Sequence, residues 1–209
     1  MSKPQPIRPS LLEQELPTEP LSLFTAWFDE ARASDATYEY NGATLATATR
    51  AGRPSARVVL VRNLDERGFC FYTNYESRKG GDLAENPWAA LVFWWGSLGR
   101  QIRIEGQVEQ LTVAESDAYY QSRALGSQLG AWASAQSQVI PNRTMLEEEL
   151  WRLQGIYANQ PPPRPPYWGG YRVVPDMIEF WQSGLHRLHD RLCYTRQPDG
   201  AWLRKRLAP

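Results

Sequence analysis

Apolar side chains at Leu21, Leu23, Phe24, Trp27, Phe28 and Ala31 recur at helical spacing and predict an amphipathic first helix. The period then shortens towards two. Alternating and β-branched runs predict strands over residues 43–49, 55–62 and 69–74, with turns at 50–54 and at Asp65-Glu66-Arg67-Gly68. Ser77 can cap a short helix over Arg78–Glu85, which Asn86-Pro87 ends. Residues 88–95 and 101–111 predict two further strands joined through Gly96 and Gly99. Thr112-Val113-Ala114-Glu115 is a capping box opening a helix to about Arg123, and helical pieces follow over 127–134 and 144–157. Pro161-Pro162-Pro163-Arg164-Pro165-Pro166 reads as a stiff connector, because strands over 171–182, 188–196 and 201–206 follow directly and need a sheet.

These elements predict an α+β fold: an antiparallel sheet closed into a barrel, with helices set to one side. Residues 1–17 predict a mobile leader, and 18–209 a single domain with no internal repeat. The chain of 209 residues is long enough to bury a sizeable core.

Charge narrows the partners. Lysine plus arginine equals aspartate plus glutamate, 23 each, so no basic surplus draws the whole protein onto nucleic acid. Arginine dominates the cations, which suits bidentate recognition of phosphate or carboxylate. Cys70 and Cys193 stand in strand-like surroundings without a CxxC motif, predicting buried free thiols and a cytoplasmic location. No signal peptide or run of membrane-spanning length is present, and two histidines without clustered cysteines argue against zinc. Nine tryptophans and ten tyrosines serve cores, interfaces and stacking surfaces alike.

Four groups of residues could carry chemistry. Arg187, His189 and Arg191 sit two apart, so a strand would point all three to one face, which suits a planar anionic ligand. A solvated strand face is the alternative. Arg57 and Arg62 flank Val58-Val59-Leu60-Val61; five apart, they emerge on opposite faces unless a bulge intervenes. Two separate anion sites explain that spacing, and charged strand ends in solvent explain it too. Ser77-Arg78-Lys79-Gly80-Gly81 puts a hydroxyl, two cations and free N–H groups at a helix start, either as a phosphate cradle or as a plain cap. Tyr119, Arg123 and Ser127 share one helix face if the helix survives Gly126, and would converge on a phosphate. Gln101 and Gln136-Ser137 add amides and a hydroxyl that could bond a heteroaromatic edge.

Together these segments resemble the pyridoxamine 5′-phosphate oxidase family. The resemblance rests on Arg57-Val58-Val59-Leu60-Val61-Arg62, Phe71-Tyr72-Thr73-Asn74 with Ser77-Arg78-Lys79, the segment 127–132, Trp168-Gly169-Gly170, and Glu179-Phe180-Trp181-Gln182 through Arg187-Leu188-His189-Asp190-Arg191. It implies an FMN-binding split barrel, Greek-key-like with flanking helices, that forms a homodimer with FMN at the subunit interface. It further implies oxidation of pyridoxamine or pyridoxine 5′-phosphate by O2 to pyridoxal 5′-phosphate, with hydrogen peroxide and, from the amine, ammonia. By resemblance, Arg57, Val58, Val59, Leu60, Val61, Arg62, Tyr72, Thr73, Arg78, Lys79, Gln101, Gln136, Ser137, Trp181 and Arg191 contact the flavin, Arg57 and Lys79 at its phosphate. Arg62, Tyr119, Arg123 and Ser127 clamp the substrate phosphate, while Arg187 and His189 hold the pyridine ring and act in catalysis. Two departures stand out: Arg62 replaces the family's usual lysine, and Met1 to Leu16 lacks the family's arginine and tyrosine cover. A non-catalytic carrier of FMN or pyridoxal phosphate, or a split-barrel flavin oxidoreductase with another substrate, are the competing readings.

Overall fold

The computed structural model describes residues 9–34 and 39–209, which form eight strands and five α-helices. The strands are β1 (Gly42–Ala48), β2 (Pro54–Asp65), β3 (Gly68–Asn74), β4 (Trp88–Trp95), β5 (Arg100–Gln110), β6 (Trp168–Gln182), β7 (Asp190–Arg196) and β8 (Trp202–Arg206). All pair antiparallel in the order β3-β2-β1-β4-β5-β6-β7-β8, and β3 also pairs with β6. That last pairing closes β1 to β6 into a barrel, while β7 and β8 extend β6 beyond it. Because β4 returns beside β1 rather than β3, the connection is of Greek-key type.

Alternation decides which side chains face inward. Ala43, Leu45, Leu91, Phe93, Ile102 and Ile104 are buried, and their strand neighbours face out. Helix α1 (Pro20–Ala33) plugs the barrel with its apolar stripe. The Phe24 ring meets Phe69 and Phe93 edge-on at 4.8 and 5.3 Å, and Trp27 meets Phe180 at 5.3 Å. Helices α2 (Arg78–Glu85), α3 (Val113–Ser122), α4 (Leu125–Ala133) and α5 (Thr144–Ile156) lie outside the sheet. The capping box forms in full, with Thr112 and Glu115 each satisfying the other's backbone N–H. Cys70 is buried and Cys193 half-buried, both as free thiols.

The predicted mobile leader is, from Pro9 onward, tied down; residues 1–8 lie outside the described residues. Gln182 Nε2 donates to the Pro9 carbonyl, Leu11 N–H donates to Asp190, and Arg206 bonds both the Leu11 carbonyl and Glu13. The Arg206 guanidinium holds the Glu13 carboxyl down at about 2. Arg204 and the Tyr194 hydroxyl donate to the Pro17 carbonyl.

Candidate functional site

One cavity of about 650 Å³ opens between β2, β3 and the α3–α4 corner, and it gathers most of the expected anion-binding residues. Arg57 and Arg62 both line it. Their odd spacing is reconciled by a bulge: Val61 faces Phe71 and Asn63 faces Cys70, leaving Arg62 as the extra residue. The two guanidiniums therefore share one cavity instead of serving opposite sides of the strand. Val58, Val59 and Leu60 also line the cavity, whereas the Val61 side chain is buried in the barrel core.

At one end, Arg57 and Lys79 form a cationic corner. Arg57 is braced by its own strand pair, donating through Nη1 to the Leu45 carbonyl and Thr47, and through Nη2 to Ser55. Thr47 in turn donates to the buried Asp82, whose carboxylate stands 3.8 Å from Arg57 Nη2. Burial lowers the Arg57 pKa, with Asp82 opposing and Arg78 reinforcing the shift. Lys79 Nζ donates to Thr73, Ser77 and the Gln136 side-chain oxygen at 2.7–3.1 Å. All three acceptors are neutral. Burial, with Arg57 next to it, therefore lowers the Lys79 pKa to about 8. A half-buried lysine beside an arginine, with no carboxylate among its three ammonium contacts, fits an anionic group. Ser77 is spent as the α2 cap, donating to Asn74 and accepting from Gly80. The Arg78 and Ser137 side chains are exposed and outside the cavity lining.

A test follows from Lys79. Anion binding selects the ammonium form, so affinity for a phosphate-bearing ligand should fall as pH rises through about 8, and Lys79→Met should flatten that dependence. Fluorescence titration of FMN across this range measures both.

At the other end stands an aromatic wall. Tyr72 and Tyr119 stack at 3.6 Å and 15°, and Trp168 lies nearly parallel beyond them. Burial pushes the Tyr72 hydroxyl up to about 12. Arg123 lies 4.6 Å over the Trp168 ring, its pKa lowered by burial, with Nη1 buried and without a hydrogen-bond partner. A cavity-lining guanidinium with a buried, unpartnered nitrogen and no carboxylate beside it suits an anionic ligand. Tyr119, Arg123 and Ser127 do converge here, but not on one helix. The chain is extended at Arg123 and Ala124, between α3 and α4. The Gln128 side chain fixes that corner by donating to the Gln121 and Arg123 carbonyls, while the Gln128 main-chain carbonyl accepts from the Tyr120 hydroxyl. Trp168 and Ser122, to which the sequence reading gave no site role, also line the cavity.

The remaining expected residues form a second group at the far end of β6. Trp94, Gln101, Trp181 and Arg191 stand in register across β4, β5, β6 and β7, and the two indoles lie 5.9 Å apart. Arg191 grips the buried Glu179 through Nε and Nη2, and Arg103 shares the same carboxylate. Glu179 thus fixes Arg191, a role that its place in the quoted motif did not reveal.

The expectation of Arg187, His189 and Arg191 on one strand face is corrected. β7 begins at Asp190, so only Arg191 lies on a strand. Residues Leu185–Arg187 form a single 3-10 turn, closed by the Leu188 N–H donating to the Leu185 carbonyl. His186 and Arg187 adopt the left-handed region, with φ of 55° and 65°. This curl brings the His189 ring against Trp181 at 4.6 Å, leaving Arg187 exposed.

Cavity and tip share no lining residue: Thr73 pairs with Gly169 and Gln101 with Trp181, near opposite ends of β6.

Residues 32–155 match the family described as pyridoxamine 5′-phosphate oxidase, and residues 168–209 match the pyridoxine 5′-phosphate oxidase C-terminal dimerisation region. The chain is 55% identical over 200 residues to a pyridoxine/pyridoxamine 5′-phosphate oxidase of Acaryochloris marina, covering 96% of this chain and 90% of that one. It is also 55% identical to pyridoxine/pyridoxamine 5′-phosphate oxidase 1 of Ralstonia nicotianae, covering 97% and 94%. Among solved structures, PhzG from Burkholderia lata, in complex with tetrahydrophenazine-1-carboxylic acid, superposes with a TM-score of 0.89 at 35% identity, covering 95% and 98%. A pyridoxamine 5′-phosphate oxidase-related, FMN-binding protein from Nostoc punctiforme shares the fold, with a TM-score of 0.71 at 17% identity over 96% and 99% of the two chains.

Proposed function

The chain belongs to the pyridoxamine 5′-phosphate oxidase family, and we propose that it oxidises pyridoxamine and pyridoxine 5′-phosphates to pyridoxal 5′-phosphate, using FMN and O2. The observation that carries this reading is the cavity with cations at both ends: Arg57 and Lys79 at one, Arg62 and the orphaned Arg123 at the other. Two anionic groups fit there, the flavin phosphate at the first and the substrate phosphate at the second.

Bound FMN would accept a hydride equivalent from the substrate and return the electrons to O2 as hydrogen peroxide. The chain's own residues supply geometry and charge. Lys79, braced by Thr73 and Gln136, and Arg57, braced by Thr47 and Ser55, hold the flavin phosphate. Arg62, Arg123, Tyr119 and Ser127 hold the substrate phosphate, so binding energy remote from the reacting carbon orients that carbon. Gln101, Trp181 and Arg191, with Arg187 and His189, belong to the tip, which would complete the cavity of a second copy of the chain. The match of residues 168–209 to a C-terminal dimerisation region supports such a homodimer, with residues of both copies at each flavin. Arg187 lies over the substrate ring as a cation, and His189 contacts the ring's phenolic oxygen.

The first test is direct. The purified protein should be yellow or become so with FMN, and should convert pyridoxamine 5′-phosphate under air with release of peroxide. A protein that FMN cannot reconstitute overturns the reading. Yellow protein without turnover favours a carrier or another substrate, and the similarity to PhzG makes a cyclic carboxylic acid the compound to assay alongside. Arg123→Ala should raise KM for the phosphorylated substrate about 10–100-fold, the range for losing a charged hydrogen bond. An unchanged KM reassigns the clamp.

A further inference from the structure

We infer that Gly184 is a positioning residue whose backbone N–H fixes His189 as a hydrogen-bond donor, with the imidazole proton on Nε2. The Gly184 N–H donates to His189 Nδ1 at 3.1 Å. A backbone N–H can only donate, so Nδ1 must present its lone pair, and the proton of the neutral ring resides on the other nitrogen. The ring is also steadied by Trp181, 4.6 Å away and tilted by 42°. With its acceptor nitrogen consumed inside the loop, His189 offers a ligand an N–H and not a basic nitrogen. It therefore suits an oxygen that carries or gains negative charge. That the oxygen belongs to a pyridine substrate rests on the function proposed above; the tautomer does not.

Space, not conformation, makes residue 184 a glycine. Its φ of −123° and ψ of 160° are open to any residue. A Cβ there, however, would stand 1.9 Å from the Leu188 carbonyl oxygen and 2.8 Å from its carbon. Both are backbone atoms, so no side-chain rotation relieves the clash. The loop closes tightly enough for Gly184 N–H to reach His189 only because nothing projects from Gly184. The left-handed residues His186 and Arg187 complete the same closure.

The protein has only two histidines, which makes the test clean. Nitrogen-15 NMR of the flavin-loaded wild type, at a pH where both rings are neutral, should show one imidazole locked as the Nε2–H tautomer with a hydrogen-bonded Nδ1. His186→Gln assigns that signal to His189 by removing the other. A His189 ring protonated on Nδ1, or exchanging between tautomers, overturns the inference. Gly184→Ala should turn the locked signal into an averaged one, with the Arg62/Arg123 clamp and flavin content unchanged. Kinetics provide the second arm, independent of whether Gly184→Ala folds. His189→Gln, whose amide nitrogen approximates Nε2, should keep turnover within about tenfold of wild type, whereas His189→Asn, which approximates Nδ1, should lose about a hundredfold. Equal losses, or the reverse order, overturn the donor role. Wild type that leaves pyridoxamine 5′-phosphate unoxidised defeats the proposed substrate, while the NMR result still decides the tautomer.

Discussion

Mixing Arg62→Ala/Arg123→Ala protein with Arg187→Ala protein, each nearly inert alone at low substrate, should restore about a quarter of wild-type turnover after subunit exchange. The expectation follows from the separation of cavity and tip along β6. In a twofold dimer, each site combines the cavity of one copy with the tip of the other. A mixed dimer then holds one site with both lesions and one with neither. Random exchange makes half the dimers mixed, and half the sites within those are intact. Mass spectrometry counts the mixed dimers while the peroxide assay reads turnover. Mixed dimers without recovered activity would place cavity and tip in the same protomer's site and dismantle the composite arrangement.

Arg187→Ala alone should lower kcat about a hundredfold and leave flavin content unchanged. The size is that of losing a preorganised charge aimed at charge developing in the transition state, about 2.7–4 kcal/mol. Arg187 forms no hydrogen bond or ion pair among the described residues, and its backbone is held at a φ of 65°. A cation kept in a costly conformation without a protein partner is consistent with use by a ligand. Both residues are of L type, so the alanine inherits the backbone strain and the comparison isolates the guanidinium. A change in KM with kcat intact would instead make Arg187 a binding group.

What could be read from the sequence divides by range. β1, β4 and β5 follow their alternation, and α1 its apolar stripe, because single-element burial writes itself into spacing. The Thr112 capping box is equally local. Three features at the site escaped this logic. The bulge at Arg62 is a mismatch between two strands, and neither strand carries a proline or glycine there to announce it. The chain breaks at Arg123 through the amide of Gln128, five residues later, rather than at the conspicuous Gly126. The Leu185–Arg187 turn interrupts an R-x-H-x-R spacing that is legitimate for a strand, and only the close approach of Gly184 to Leu188 explains it. Most of the residues gathered at the cavity were legible, Trp168 and Ser122 excepted; the parities that aim them were not.

The strap from Pro9 to Pro17 has a consequence for how the protein is made. Its partners are Gln182, Asp190, Tyr194, Arg204 and Arg206, the last of these three residues from the chain's end. The strap thus has no place to dock until β6, β7 and β8, far later in the sequence, have been made. Order of synthesis and order of settling are opposed, and the strap comes to rest beside β8.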